Sequence, residues 1–132
     1  MGAWSAGPFD NDDAVDFMIE LEDTPSWQTV SEAFDTVLSQ PGYVELPDGA
    51  RVCAAAALIT IATGKSDVSA QDYHMTLDAM GPVPPGLALK ARQALRQIST
   101  GSSEIRELYL DSGSYAEWFA TITAIDQALG TP

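Results

Sequence analysis

The sequence predicts an all-α protein, a compact bundle of six or seven short helices around a central alanine-rich helix. Apolar residues recur with a period near 3.6 along most of the 132 residues, which is typical of helices with one buried face. The alternation expected of a half-buried strand is limited to a short stretch at 43–46. The connections between the predicted helices are only a few residues long. We therefore expect residues 1–132 to form a single helical domain.

The first two helices are predicted from capping residues and apolar stripes. One begins after Asp10 or Asn11 and runs to about Asp23, and the next opens at Thr24-Pro25 and runs to about Ser39. Their apolar positions fall on one side of each helix, which we expect to be buried. These positions are Ala14, Phe17, Met18 and Leu21 in the first helix, and Trp27, Val30, Phe34, Val37 and Leu38 in the second.

The third helix is predicted from about Pro47 to Thr63, with Gly64 just beyond its end. It is apolar almost all round, so it should lie at the centre of the bundle. Further helices are predicted from their start signals and apolar stripes. These signals are Ser69 with Asp72 as a capping box, Pro84-Pro85, Ser103, and Ser114 with Glu117 as a second capping box before a stripe that includes Tyr115, Trp118, Phe119 and Ile122.

Charge is distributed unevenly along the chain. Residues 1–50 contain no Lys or Arg but hold eleven of the nineteen acidic side chains, so most of the net charge of −13 lies there. A field of this sign repels nucleic acid and anionic membranes and attracts cationic surfaces. The sequence therefore predicts a basic protein partner, no nucleic acid and no membrane. A single cysteine and no recognisable export or membrane segment favour a cytoplasmic location.

Catalytic machinery is scarce. The only histidine is His74, and the only cysteine, Cys53, lies in the apolar third helix, where burial should keep it a thiol. The sequence contains neither a Gly-x-Ser-x-Gly elbow nor a phosphate-binding loop, and we expect no cofactor. The basic residues Lys90, Arg92 and Arg96 are interpreted as a solvated helix face.

The densest polar cluster lies at the start of the first helix, and we predict it to be the partner-binding surface. Asp12, Asp16 and Glu20 follow i, i+4 spacing, so a divalent metal on one helix face is an alternative. Acids in the first turn also favour the positive helix end by about 0.3–1 kcal/mol each, which needs no ligand. The predicted cluster comprises Asp10, Asn11, Asp12, Asp13, Asp16 and Glu20, with no metal assigned.

Three aromatic residues are predicted to be structural anchors. Trp4 and Phe9 flank the Gly7-Pro8 turn, so they are placed to hold the N-terminal arm on the helical body, and Trp118 lies in the last helix. Self-association through Trp27, Trp118 or Tyr115 is a further hypothesis if those residues form an exposed patch.

The opening MGAWSAGPFDNDDAVDF, at 1–17, resembles a bacterial family known as domain of unknown function 4259. The resemblance continues in the alanine-rich third helix and in the segments 103–108 and 115–119, although Ser5 stands where relatives often have glycine. It implies a small bacterial, cytoplasmic protein and brings no established activity and no catalytic residues.

The leading hypothesis is therefore a non-enzymatic binding protein, inhibitor-like or immunity-like, whose acidic N-terminal half engages a basic protein. The two alternatives are a metal-dependent hydrolase that uses Asp12, Asp16 and Glu20, and a self-associating structural subunit.

Overall fold

A computed structural model describes residues 7–40, 42–66 and 73–130. Within these ranges the chain forms seven helices and no strand, which confirms the predicted fold class. None of these helices is long and apolar enough to cross a membrane. The helices are α1 (Asp12–Asp23), α2 (Trp27–Leu38), α3 (Leu46–Ala62), α4 (His74–Met80), α5 (Leu87–Thr100), α6 (Glu104–Ser112) and α7 (Tyr115–Leu129).

The alanine-rich helix α3 lies at the centre of the molecule, as the sequence predicts. Every residue from Val52 to Ile61 is buried, and α3 packs against α1, α2, α5, α6 and α7. Its run of four alanines at 54–57 is enclosed on all sides. A side chain as small as alanine lets neighbouring helices approach closely, so five helices can surround a single one.

Helix α1 agrees with its prediction in both its cap and its buried face. Asn11 is the N-cap, and its side-chain Oδ1 accepts a hydrogen bond from the backbone N–H of Ala14 at 2.8 Å. The four apolar residues predicted to point inward are the four that are buried. The opposite side of α1, which includes Asp12 and Asp16, is exposed to solvent.

Two predicted helix starts and one predicted helix cap are wrong in detail. Ser26, not Thr24, caps α2, because Thr24 is occupied in closing α1 through its backbone N–H to Glu20. Helix α5 begins at Leu87, after Gly86 in the left-handed conformation, rather than directly at Pro84-Pro85. Ser114 is the residue just before α7, as predicted, but its side chain makes no capping hydrogen bond, because its backbone, with φ −106° and ψ 16°, is not in the extended conformation of a capping residue. The predicted capping box of Ser69 and Asp72 lies outside the described residues.

The short stretch that alternates in the sequence joins the chain to the start of α6. Val44 is fully buried, its N–H donates to Ser102 O at 3.0 Å, and its carbonyl accepts from the N–H of Glu104 at 2.8 Å. These bonds form an isolated parallel bridge to Ser103. They hold the loop before α3 against the N-terminus of α6, and so position the first turns of α3 beside α1 and α2.

Candidate functional site

The structure does not gather the predicted partner-binding residues on one surface. Asn11 is buried, and its side-chain oxygen is used to cap α1. Asp12 and Asp16 point to solvent, whereas Glu20, further round the helix, reaches Arg51 of α3 at 2.5 Å. The face that sequence periodicity assigned to three stacked carboxylates is therefore divided between solvent and a neighbouring helix. Asp10 is exposed just before α1.

Asp13 lies between these two environments and is only partly exposed. Burial raises its pKa above the ordinary value, and the nearby charges of Asp16 and Asp12 raise it further, while Arg51 acts in the opposite direction. The first turn of α1 is thus a site of mutual repulsion between carboxylates. The positive end of the helix partly offsets that repulsion.

The most developed feature of the acidic half is a groove of about 530 Å³ between α1, α2 and the first turns of α3. Four carboxylates from the three helices line it. They come from Glu20 on α1, Glu32 and Asp35 on α2, and Asp48 on α3. We call this surface the acidic groove. Only Glu20 among these residues is predicted as a site residue from the sequence, because side chains from three helices are brought together by packing and not by spacing along the chain.

Arg51 is the one cation among the residues that line the acidic groove. Its guanidinium lies 5.6 Å from the centre of the Phe17 ring, and one of its nitrogens contacts Glu20. Both charged side chains are about half exposed, at 40% for Arg51 and 51% for Glu20. An ion pair this exposed is worth at most about 1 kcal/mol, because water screens both charges. Arg51 thus neutralises only part of the groove and is held there weakly.

The other groove carboxylates differ in how their charge is compensated. Lys90 of α5 lies 2.9 Å from Asp35, and Gln40 donates a hydrogen bond to Asp48 at 3.1 Å. Glu32 makes no ion pair with any part of the chain that the structure describes. Asp48 also lies in the first turn of α3, where the helix dipole favours a negative charge. Glu32 is therefore the groove carboxylate with the least internal compensation.

The chain's own bases neutralise little of the acidic half. The described residues contain three salt bridges, of which two, Arg51–Glu20 and Lys90–Asp35, involve acids from the first 50 residues. The third joins Arg92 to Asp126 in the second half of the chain. Most of the eleven acids in the first 50 residues thus remain available to attract an external cation.

The geometry does not favour the two alternative functions. Across the described ranges, no group of three His, Cys, Asp or Glu side chains converges as a metal site, so Asp12, Asp16 and Glu20 do not form one. The proposed self-association patch is not exposed either, because Trp27 and Trp118 are both buried in the core. Tyr115 is half-buried and stacks on Phe119, with 5.5 Å between ring centres.

Cys53 is a structural residue rather than a nucleophile. Burial raises the pKa of its thiol to about 12, although a hydrogen bond involving Trp118 partly opposes the shift. The thiol therefore stays protonated near neutral pH, and only a thiolate is an effective nucleophile. The side chain of His74 lies outside the described part of the molecule.

The predicted anchors differ in how much of them the structure describes. Phe9 is partly buried against the core, with its ring centre 5.2 Å from that of Tyr73. Trp118 is buried and stacks almost parallel on Tyr109 at the same ring-centre distance of 5.2 Å. Trp4 lies outside the described residues. Phe119, which is predicted to lie in the apolar stripe of the last helix, is 38% exposed to solvent.

Comparison with known proteins adds a family but no activity. No curated protein and no solved structure matches the chain. The model of the family described as "Domain of unknown function (DUF4259)" matches residues 2–121. This match covers nearly the whole chain, including the acidic opening, the central helix and the start of α7. The protein therefore belongs to the DUF4259 family.

Proposed function

We propose that this protein is a non-enzymatic binding module, inhibitor-like or immunity-like, that acts in the cytoplasm by engaging a basic surface of a protein partner. The observation that carries the proposal is the acidic groove, which is lined by carboxylates from three helices of the N-terminal half and by a single arginine. Complementary charge on a partner would speed association and select against acidic competitors. No histidine or cysteine is among the residues that line the groove, which favours binding over nucleophilic catalysis.

The compensation of charge within the acidic groove also supports this proposal. The Arg51–Glu20 pair is exposed, and Glu32 has no internal ion pair in the described structure. A cationic side chain of a partner therefore gains an attraction to Glu32 without first breaking a buried salt bridge. Such a pair loses little solvation, so its main contribution is to association rate and specificity.

A lysine decapeptide is a suitable probe, because it carries the proposed charge and no apolar side chain. Its binding is measured by calorimetry at low and at moderate salt, together with the chemical-shift changes it causes. We expect Glu32→Lys to weaken binding about tenfold, because it removes an attraction of about 0.5–1 kcal/mol and adds a repulsion of the same size. The largest shift changes should fall on the residues lining the acidic groove.

Asp111→Lys is the matched control, because it changes the net charge equally from an exposed position on α6, outside the groove. Asp16→Lys tests the acidic face of α1 in the same way and should also weaken binding. If Glu32→Lys and Asp111→Lys reduce the affinity by the same factor, only net charge matters and the proposed surface is wrong. Thermal unfolding of each variant confirms that it is folded.

A further inference from the structure

Helix α1 exposes two large apolar side chains on its outer face. Val15 is 48% exposed and Ile19 is 57% exposed, although the inner face of the same helix is fully buried. They lie four residues apart and are therefore neighbours on the helix surface. Neither belongs to the hydrophobic core or to the partly buried residues packed against it. The other large exposed apolar side chains in the described structure come from α4 to α7 and the loop before α3, one from each.

Acidic side chains surround this apolar pair. Asp12, Asp16 and Asp23 are exposed, and helical periodicity places them on the same outer face as Ile19. Helix α1 contains no basic residue, and the Arg51 guanidinium contacts Glu20 on the side that faces the acidic groove. The outer face of α1 thus combines an apolar centre with an anionic rim and continues into the acidic groove through Glu20.

This combination specifies the chemistry of what fits there. An exposed apolar pair is not by itself informative, but an apolar centre with a charged rim is the arrangement of a protein interface. A helix that carries leucine-like side chains along one stripe, flanked by lysine or arginine, complements both parts. An anionic membrane would also offer an apolar phase, but its headgroups would be repelled by the three aspartates.

We propose that the outer face of α1 docks a basic amphipathic helix of a protein partner. The apolar stripe of that helix covers Val15 and Ile19, and its cations face Asp12, Asp16 and Asp23. The inference rests on the proposed function, because it identifies which feature of the basic partner supplies apolar contact beyond charge. It differs from that proposal in requiring a helical apolar stripe, whereas charge alone would be satisfied by an extended peptide.

The test compares two synthetic peptides of identical composition, built only from leucine and lysine. In one, the leucines recur at helical spacing, and in the other the order is scrambled so that no stripe forms. Binding to the full chain is measured by calorimetry. We expect the patterned peptide to bind the wild-type protein about tenfold more tightly than the scrambled one.

The variant Val15→Ala/Ile19→Ala should abolish this tenfold preference. Alanine is the better helix former at both positions, so weaker binding cannot be attributed to loss of α1. Leu89→Ala is the matched control, since Leu89 is 61% exposed on α5, away from α1, and it should leave the preference unchanged. Circular dichroism checks that each variant retains its helices.

The outcomes separate the inference from the function on which it rests. If both peptides bind wild type equally, or if Val15→Ala/Ile19→Ala keeps the preference, the docking inference is wrong. In that case a loss of binding in Glu32→Lys still supports the electrostatic function. If neither peptide binds the wild-type protein, both proposals are overturned. Binding of wild type to anionic lipid vesicles in place of the patterned peptide would also overturn the docking inference.

Discussion

Raising the pH should destabilise this protein through Cys53, whose thiol is buried in the middle of α3. The ordinary thiol pKa of 9 is raised to about 12 by burial in the folded protein. Between these two values the unfolded chain releases the thiol proton, whereas the folded chain keeps it. The stabilisation is therefore complete below pH 9 and is lost as the pH rises towards 12.

The size of the effect follows from the pKa difference. At pH 11 most unfolded chains have lost the thiol proton, whereas most folded chains keep it. Because pH 11 lies about two units above the thiol pKa of the unfolded chain, the free energy of unfolding falls by about 3 kcal/mol. A small domain has a total stability of about 5–15 kcal/mol, so this loss should be measurable with ease. Tyr109 contributes in the same direction, because burial also raises its pKa to about 12.

Urea denaturation of wild type and Cys53→Ala between pH 7 and pH 11 measures the contribution of the thiol together with its coupling to Tyr109, whose pKa the charge of Cys53 helps to raise. We expect the two curves of unfolding free energy against pH to be parallel up to about pH 8. They should then approach or cross as only wild type loses the contribution of the thiol. A constant difference up to pH 11 would contradict the assigned burial. So would reaction of native Cys53 with a thiol reagent at pH 8 at the rate of an exposed cysteine.

Three further substitutions test how the helices are capped and packed. Asn11→Ala removes the acceptor for the Ala14 N–H and should lower the free energy of unfolding by about 1 kcal/mol in urea denaturation. An unchanged midpoint would exclude this cap. Gly49→Val places a Cβ 2.9 Å from Ile105 Cγ2 where α3 meets α6, and should cost about 1–3 kcal/mol. Its control, Gly42→Ala, adds a Cβ with nothing within 4 Å and should leave the melting temperature nearly unchanged. Trp27→Phe removes the indole N–H bond to Gly81 O, 2.9 Å long, and should cost about 1 kcal/mol by the same denaturation assay. Equal stability of Trp27→Phe and wild type would show that this bond does not help to join α2 to the end of α4.

The elements that sequence analysis predicted well are those whose signals lie within one helix. The cap and the buried face of α1 depend on residues three and four positions apart, and all of them are found as predicted. The central position of α3 follows from its lack of a polar face. The predicted family is confirmed by a match of its model across residues 2–121.

The predictions that failed depend on competition between adjacent elements. Ser114 stands at the cap position of α7, but its backbone, whose N–H closes the turn at the end of α6, is not in the extended conformation from which a side chain caps a helix. The burial of Trp27 and Trp118 agrees with their predicted places in apolar helix stripes, and only the alternative of an exposed patch at these residues does not match the structure. Competition of the kind seen at Ser114 is not visible in the spacing of residues along one segment.

The candidate site shows the same division. The amino-acid sequence by itself determined the sign of the charge, its concentration in the first 50 residues and the helices that carry it, because these are properties of composition and of local periodicity. Only the tertiary structure decided that Glu20, Glu32, Asp35 and Asp48 line one groove with Arg51, while Asp12 and Asp16 face away from it. The physical reason is that the groove exists only where α1, α2 and α3 pack together. The buried apolar face of each helix sets its rotation in that packing. This rotation directs the acidic side chains into the groove or out to solvent.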